Sequence, residues 1–204
     1  MLAAYSLLAR PTSVLGATQV CYRSSVTILN CAGRTCPLET RPLGREEGLL
    51  YRDLRLRALA DSPDAFGETL SQAQARSEGW WIRGADYIAN HSDRLALFIA
   101  WDNQVPCGSI YISLESSVAH IFGMWAEPAY RRRGIGTALL NTATPWAIER
   151  QAVSLDLWVT EGNEAAMRLY QRAQFSATGE QDLLRPDSSL RICRMVRSLA
   201  NQPY

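Results

Sequence analysis

The 204-residue sequence predicts one α/β domain, a mixed sheet with helices packed on it. Three observations predict it. Residues 94–126 hold three apolar runs parted by short polar turns, the pattern of an antiparallel meander. Residues 134–149 and 163–173 place apolar side chains at helical spacing. Between these two helices lies a strand-like run, V-S-L-D-L-W-V (153–159). Composition agrees: 47% hydrophobic and 20% charged residues is the balance of a globular protein, long enough to bury a core without staples.

The elements follow in order from residue 39. E-T-R-P-L reads as a short first strand. Residues 46–60 carry Leu50, Tyr51, Leu54 and Ala58 on one helical stripe, which Asp61-Ser62-Pro63-Asp64 ends. Residues 68–90 are helical in composition. R-L-A-L-F-I-A-W (94–101) is apolar on both faces, as a central strand is. Asp102-Asn103-Gln104 turns the chain into 105–114, and Glu115-Ser116-Ser117 turns it again into 118–126. In 134–149, Ile135, Ala138, Leu139, Thr142, Ala143 and Trp146 share one face, with Pro145 expected to kink the helix or cost about 3 kcal/mol. Strand 153–159, helix 163–173 and strands 175–180 and 190–196 bring the total to seven strands.

Residues 1–37 differ. They hold Arg10, Arg23 and Arg34 and no acidic residue, and no period persists. They are expected to form a disordered N-terminal extension ahead of a domain at 38–200. A transit peptide, a flexible tail and a mis-assigned start all fit this composition. No run approaches 18 apolar residues, so no membrane span is expected. The formal charge of +1 gives no general basic surface for nucleic acid. All cations are arginine, and without lysine there is no Walker phosphate loop. The five cysteines and two histidines lack paired metal-ligand spacing, so no metal is expected. Reduced structural thiols point to a cytoplasmic protein.

Y-R-R-R-G-I-G-T-A-L-L (130–140) is the most informative stretch. A helix start leaves N–H groups unpaired and carries about half a positive charge. Gly134 and Gly136 remove side chains there, and Arg131, Arg132 and Arg133 add forked donors, which together describe a phosphate cradle. The rival reading is a tight turn with solvated arginines. A dinucleotide fingerprint fits poorly, since its third glycine position holds Leu139.

R-R-R-G-I-G (131–136) and N-E-A-A-M-R-L-Y-Q-R-A-Q-F (163–175), one strand apart, resemble the two signature motifs of the GNAT superfamily of N-acetyltransferases. G-M-W-A-E-P (123–128) is similar to that family's fourth strand, and L-R-A-L-A-D-S-P-D-A-F-G (56–67) to its first helix and following loop. The resemblance spans roughly residues 39 to 199. It implies a mostly antiparallel twisted sheet of about seven strands, splayed between the fourth and fifth, with flanking helices. It implies acetyl-CoA as co-substrate. Backbone amides of Arg131, Arg132, Arg133, Gly134, Ile135, Gly136 and Thr137 would hold the pyrophosphate. Met124 and Ala126 would pair with the pantetheine arm. Asn163 would contact the coenzyme or cap its helix.

The implied reaction is direct attack of an amine on the thioester. Tyr170 is the expected proton donor to the leaving thiolate, against the alternative of a packed core tyrosine. A backbone N–H of 123–126, with Gly123 permitting a distorted strand, would stabilise the carbonyl oxygen. His120, Glu115, Glu127 and Glu161 are the candidate bases, with His120 first for its intrinsic chemistry. Cys107 and Cys193 are not expected as nucleophiles. The acceptor is a small-molecule or protein amine, and a homodimer is one expected assembly. A catalytically silent acyl-CoA-binding module is the alternative. Gln174 departs from the family's glycine and is expected to cost of order 1 kcal/mol if its φ is positive.

Overall fold

The computed structural model describes residues 24–29 and 35–200, with side chains from Leu38 onward. Eight strands form one sheet in the order β1-β2-β3-β4-β5-β6-β8-β7. They are β1 (Ser24–Leu29), β2 (Thr35–Pro42), β3 (Leu95–Asp102), β4 (Val105–Glu115), β5 (Val118–Ala126), β6 (Ser154–Thr160), β7 (Ser176–Leu183) and β8 (Arg191–Ser198). The helices are α1 (Gly48–Asp61), α2 (Leu70–Gln74), α3 (Glu78–Asn90), α4 (Ile135–Glu149) and α5 (Glu164–Arg172). Every neighbouring pair is antiparallel except β5 and β6. The parallel pair exists because α4 carries the chain from the end of β5 back to the start of β6, as a crossover must.

The strand period of two divides the core into two layers. Phe98, Ile110, Ile112, Ala119, Ile121, Leu155 and Leu157 pack with Leu139, Ala143 and Trp146 of α4. Leu97 and Ile99 face the other way, with Leu54 and Leu59 of α1 and Trp81 and Ala85 of α3. Phe98 and Ile99, adjacent in sequence and both fully buried, therefore serve opposite layers. Each helix covers one face, which fixes the middle of the sheet and leaves its chemistry to the ends of β5 and β6.

The expected sheet gains one strand. β1 and the first residues of β2 fall within 1–37, so strand pairing begins earlier than the expected boundary at residue 38; residues 1–23 lie outside the described residues. The helical stretch 68–90 is split into α2 and α3. Each part has its own start signal: Thr69 and Gln72 form a reciprocal capping box, and Ser77 Oγ accepts the Trp80 N–H at 3.3 Å. Pro145 lies inside α4 without ending it. Pro145 and Asn141, whose carbonyl loses its helical donor, are both exposed, so water can take up the freed acceptor.

Candidate active site

The site forms where the two central strands part. β5 and β6 pair from Val118↔Ser154 to Ile121↔Leu157 and no further, although β5 continues to Ala126 and β6 to Thr160. The opening between them is lined by Phe122, Gly123, Met124, Trp158, Asn163 and Tyr170. A bulge aims β5 at this slot. The β4–β5 register steps from Ser109↔Trp125 to Tyr111↔Phe122, so Gly123 and Met124 together oppose Ile110. Gly123 has φ +56°, a left-handed conformation that glycine adopts without a Cβ penalty. The distortion expected at Gly123 is present.

The Arg-Gly loop leads from β5 into α4. Gly134 is the residue before the helix, with φ +83°, and no side chain caps that end. No acidic residue occupies the first turn. Helix geometry leaves the N–H groups of Ile135, Gly136 and Thr137 without intrahelical acceptors. The positive end of a four-turn helix is thus uncapped beside the slot.

The two glycines have different tasks. A Cβ on Gly136 would lie 2.7 Å from Leu169 Cδ2 and 3.0 Å from Met124 Cε. Its small size lets α4 approach α5 and the bulged strand, rather than clearing room for an anion. The three arginines also divide. Arg131 donates to Asp61 and, through Nε, to the Ala126 carbonyl at 3.1 Å. Arg133 reaches Asp102 at 3.4 Å and lies over the Tyr130 ring. Both brace the loop, which leaves Arg132 as the arginine of the three with no side-chain partner among the described residues. That side chain is exposed, with φ +62°.

Asp61, which the sequence presents only as a helix terminator, is the other end of the brace. Its Oδ2 accepts from Arg131, from Ser62 Oγ at 2.6 Å and from Trp125 Nε1 at 2.9 Å. Burial raises the Asp61 carboxyl, but the bonds from Ser62, Trp125 and Arg131 together hold it below its ordinary value. With the folded value depressed, its stabilisation is present above the unfolded carboxylate range and is lost as pH falls through the folded value. Asp61→Ala is expected to cost about 1–3 kcal/mol, measured by urea unfolding at pH 7, because it leaves the Trp125 donor without its acceptor and the Arg131 guanidinium without its counter-charge. The difference from the parent should shrink below pH 4.

α5 positions Asn163 and Tyr170. Asn163 is the N-cap, its Oδ1 accepting the Ala166 N–H at 3.2 Å, and it also lines the slot. At the other end, Gln174 N–H bonds to the Gln171 carbonyl at 3.0 Å and Phe175 N–H to the Tyr170 carbonyl at 2.9 Å. These are the two bonds of a Schellman ending, which requires a left-handed residue between them. Gln174 supplies it at φ +68°, so the strain expected of a non-glycine residue is present. Gln174→Gly should raise stability by about 1 kcal/mol, read as an upward shift in Tm. The same ending brings Phe175 against Tyr170, with ring centroids 5.8 Å apart.

Tyr170 is only 8% exposed, and its hydroxyl is directed at Met124 Sδ, 3.7 Å away. Burial pushes the phenol up to about 12. It is therefore a neutral donor at any physiological pH. His120 is not among the residues that line the slot, but it shares its strand face with Phe122, which is, and the two rings stack with centroids 6.2 Å apart. Of the other expected bases, Glu127 is paired with Arg57, and Glu161 accepts from Gln181 at 2.6 Å. Burial and, secondarily, Asp102 push the Cys107 thiol up to about 12, and burial with Glu161 also raises Cys193. Neither provides a thiolate at neutral pH, which suits chemistry without a cysteine nucleophile.

A buried ion-pair group near the slot escaped the sequence reading. Arg55 and Glu68 meet at 3.0 Å, and Arg76 reaches Glu68 at 2.6 Å. The Arg55 guanidinium lies over Phe66, a slot residue, and a Cβ on Gly123 would be 3.6 Å from it. The only sequence signal was the motif 56–67 between the two partners, which does not reveal that charges 13 residues apart share a buried pair.

A splayed parallel pair, a bulged strand facing the gap and an open helix start behind an Arg-Gly loop together mark a mixed α/β fold with a cleft at the parting of its two central strands. The profile of the acetyltransferase (GNAT) family matches residues 57–175, more than half of the chain, and the chain belongs to that family. An uncharacterized N-acetyltransferase of Methanocaldococcus jannaschii is 37% identical over 78 residues, 38% of this chain and 33% of that protein. The mycothiol acetyltransferase of Clavibacter sepedonicus is 28% identical over 124 residues, 60% of this chain and 37% of that protein. The chain thus spans about a third of the length of these curated relatives. Among solved structures, yncA of Salmonella typhimurium, solved with its cofactor acetyl-CoA, has a TM-score of 0.66 at 14% identity, over 82% of this chain and 96% of its own. The paia N-acetyltransferase of Thermoplasma acidophilum, in complex with coenzyme A, gives 0.58 at 18% identity, over 79% and 98%. These likenesses establish the shared fold.

Proposed function

We propose that the protein is an acetyl-CoA-dependent N-acetyltransferase acting on the amine of a small molecule or protein. The observation that carries this is the parting of β5 and β6 into a slot lined by a buried tyrosine, with the uncapped start of α4 packed through Gly136 against the slot residue Met124. The residues suit the co-substrate. The backbone amides of Gly134 to Thr137 and the free Arg132 would take the pyrophosphate. The edge of β5 at Met124 and Ala126, which β6 leaves uncovered, would take the pantetheine arm, with Arg131 yielding the Ala126 carbonyl it holds. Acetyl-CoA supplies a thioester as the acetyl donor.

The chain's own groups then have definable tasks. An N–H of the bulged segment 123–126 stabilises the carbonyl oxygen as the amine nitrogen forms its bond to the acetyl carbon. The carbon–sulfur bond breaks, and Tyr170 hands its hydroxyl proton to the departing sulfur. The proton released by the amine passes to His120, directly or through water. The free thiols Cys107 and Cys193 suit the reducing cytoplasm as its location. Titration calorimetry tests the reading at its base: acetyl-CoA should bind saturably and adenosine diphosphate much more weakly. Thiol release across a panel of diamines, amino acids, amino sugars and peptide N-termini should then identify the acceptor class. An absence of saturable acetyl-CoA binding would refute the proposal.

A further inference from the structure

The face of the sheet that carries His120 holds a carboxylate the reaction above does not use. Asp156 on β6 is 2% exposed. Its Oδ2 accepts from Arg194 Nε at 2.6 Å and from a second guanidinium nitrogen of the same arginine. Its Oδ1 is buried with no hydrogen-bond partner among the described residues. A buried carboxylate oxygen left unpaired is costly enough to require a reason. His120 Nδ1 lies 3.9 Å from it, within ion-pair range and beyond hydrogen-bond range.

This neighbourhood is built by the register. His120 and Asp156 are paired residues of the parallel β5–β6 ladder, so their side chains leave the same face side by side. They sit one rung before Ile121↔Leu157, the last pair before the strands part. The imidazole's other nitrogen, Nε2, points away from Asp156 toward the rim, where Glu115 stands 3.9 Å off with a largely exposed side chain. Around the ring, the charged groups are Glu115 from β4, Asp156 from β6, and Arg194 from β8, which reaches on to Glu180 of β7 at 2.9 Å.

We infer that Asp156 is a positioning residue that holds His120 with Nδ1 protonated and Nε2 free to receive the proton of the incoming amine. The inference rests on the acetyltransferase reading and gives its proton acceptor an orienting partner. When the ammonium nitrogen loses its proton to Nε2, the nitrogen electron pair becomes available for the new bond to the acetyl carbon. The Nδ1–H then closes onto Asp156 Oδ1, which stabilises the imidazolium until Nε2 returns its proton to solvent. Which ring nitrogen carries the proton is set by the bond the other one makes, and the unpaired Oδ1 is the acceptor that makes this choice. Arg194 fixes the carboxylate through its two contacts to Oδ2.

The chain's two histidines make the test direct, because His91 serves as an internal reference. The ring protons of both are followed by NMR across pH 5–9 in the full-length protein, for the parent, Asp156→Asn and Glu115→Gln. The His120 midpoint should fall by half a pH unit or more in Asp156→Asn, with His91 unmoved and a smaller change in Glu115→Gln. On an amine that the parent acetylates, Asp156→Asn should lower kcat about tenfold or more with little change in KM. The acidic limb of its pH profile should move with the NMR midpoint. His120→Gln should lower kcat at least as far, and the double variant no further. An unmoved His120 midpoint in Asp156→Asn, or a shift at least as large in Glu115→Gln, overturns the assignment. Where Asp156→Asn does not fold, full kcat in His120→Gln overturns it and a tenfold loss with unchanged acetyl-CoA affinity supports it. Calorimetry with acetyl-CoA on the parent separates these outcomes from failure of the acetyltransferase reading itself.

Discussion

Gly134→Asp should abolish useful acetyl-CoA binding, raising Kd about 100-fold or more, while the fold survives. The position precedes an uncapped helix of 15 residues with no acid in its first turn. A carboxylate there stands against the same N–H groups that a pyrophosphate needs, satisfies part of their positive potential, and repels the ligand. The tenfold-per-1.4 kcal/mol relation makes a 100-fold loss about 2.7 kcal/mol, a reasonable sum for lost N–H contacts and like-charge repulsion at close range. Stability should change far less. Glycine at φ +83° is replaced by a residue that costs about 1–2 kcal/mol in the left-handed region, and aspartate is among the most tolerant there. An acid at a helix start returns about 0.3–1 kcal/mol. Calorimetry and thermal unfolding on the same sample read the two effects separately. Gly134→Ala bears the same backbone strain without the charge, and should weaken binding much less. Equal affinity in parent and Gly134→Asp would remove the phosphate role from this helix start.

Much of this site was legible in the sequence because its signals are local. Strand β5, the start of α4 and the Asn163–Phe175 helix each carry their own pattern of apolar period, glycine and cap, and the spacing between motifs fits one intervening strand. The left-handed Gln174 was anticipated from the family resemblance, whose motif has glycine there, and the helix ending supplies the physical reason. What was not legible is set by contacts distant in sequence. Three consecutive arginines look equivalent in a string. Only the fold places Asp61, seventy positions earlier, against Arg131, and Asp102 against Arg133. Gly136 looked like part of the cradle, yet its missing Cβ accommodates Leu169 and Met124 from two other elements. Asp156 carries no signal of its own within the strand 153–159, and the parallel register alone sets it beside His120. Local conformation is written in short windows, whereas the pairing of charges depends on topology, and no window contains both partners.

Tyr170→Phe should lower kcat by about 10²–10⁴-fold, the usual contribution of a positioned proton donor, with acetyl-CoA affinity nearly unchanged. Shape argues that the effect is chemical. The ring stays packed against Phe175, and among the described residues the hydroxyl's partner is the Met124 thioether, a weak acceptor. Losing that contact at neutral pH should cost under about 1 kcal/mol of stability. The pH dependence offers a second, independent reading. Burial raises the phenol to about 12 in the folded protein, from its ordinary value of 10.0. Folding therefore favours the neutral phenol; this contribution is complete below pH 10 and is lost as pH rises through 12, amounting to about 2–3 kcal/mol. The phenylalanine variant has no such loss, so its stability should overtake the parent's between pH 10 and 12 in urea titrations. The same raised value means the donor remains protonated throughout pH 6–10, so the parent's turnover should show no descending basic limb from Tyr170 in that range. A variant with full turnover would leave Tyr170 as a core tyrosine and require another donor for the departing sulfur. A variant with lost turnover but a parent-like alkaline unfolding curve would separate the hydroxyl's catalytic task from the burial that keeps it neutral.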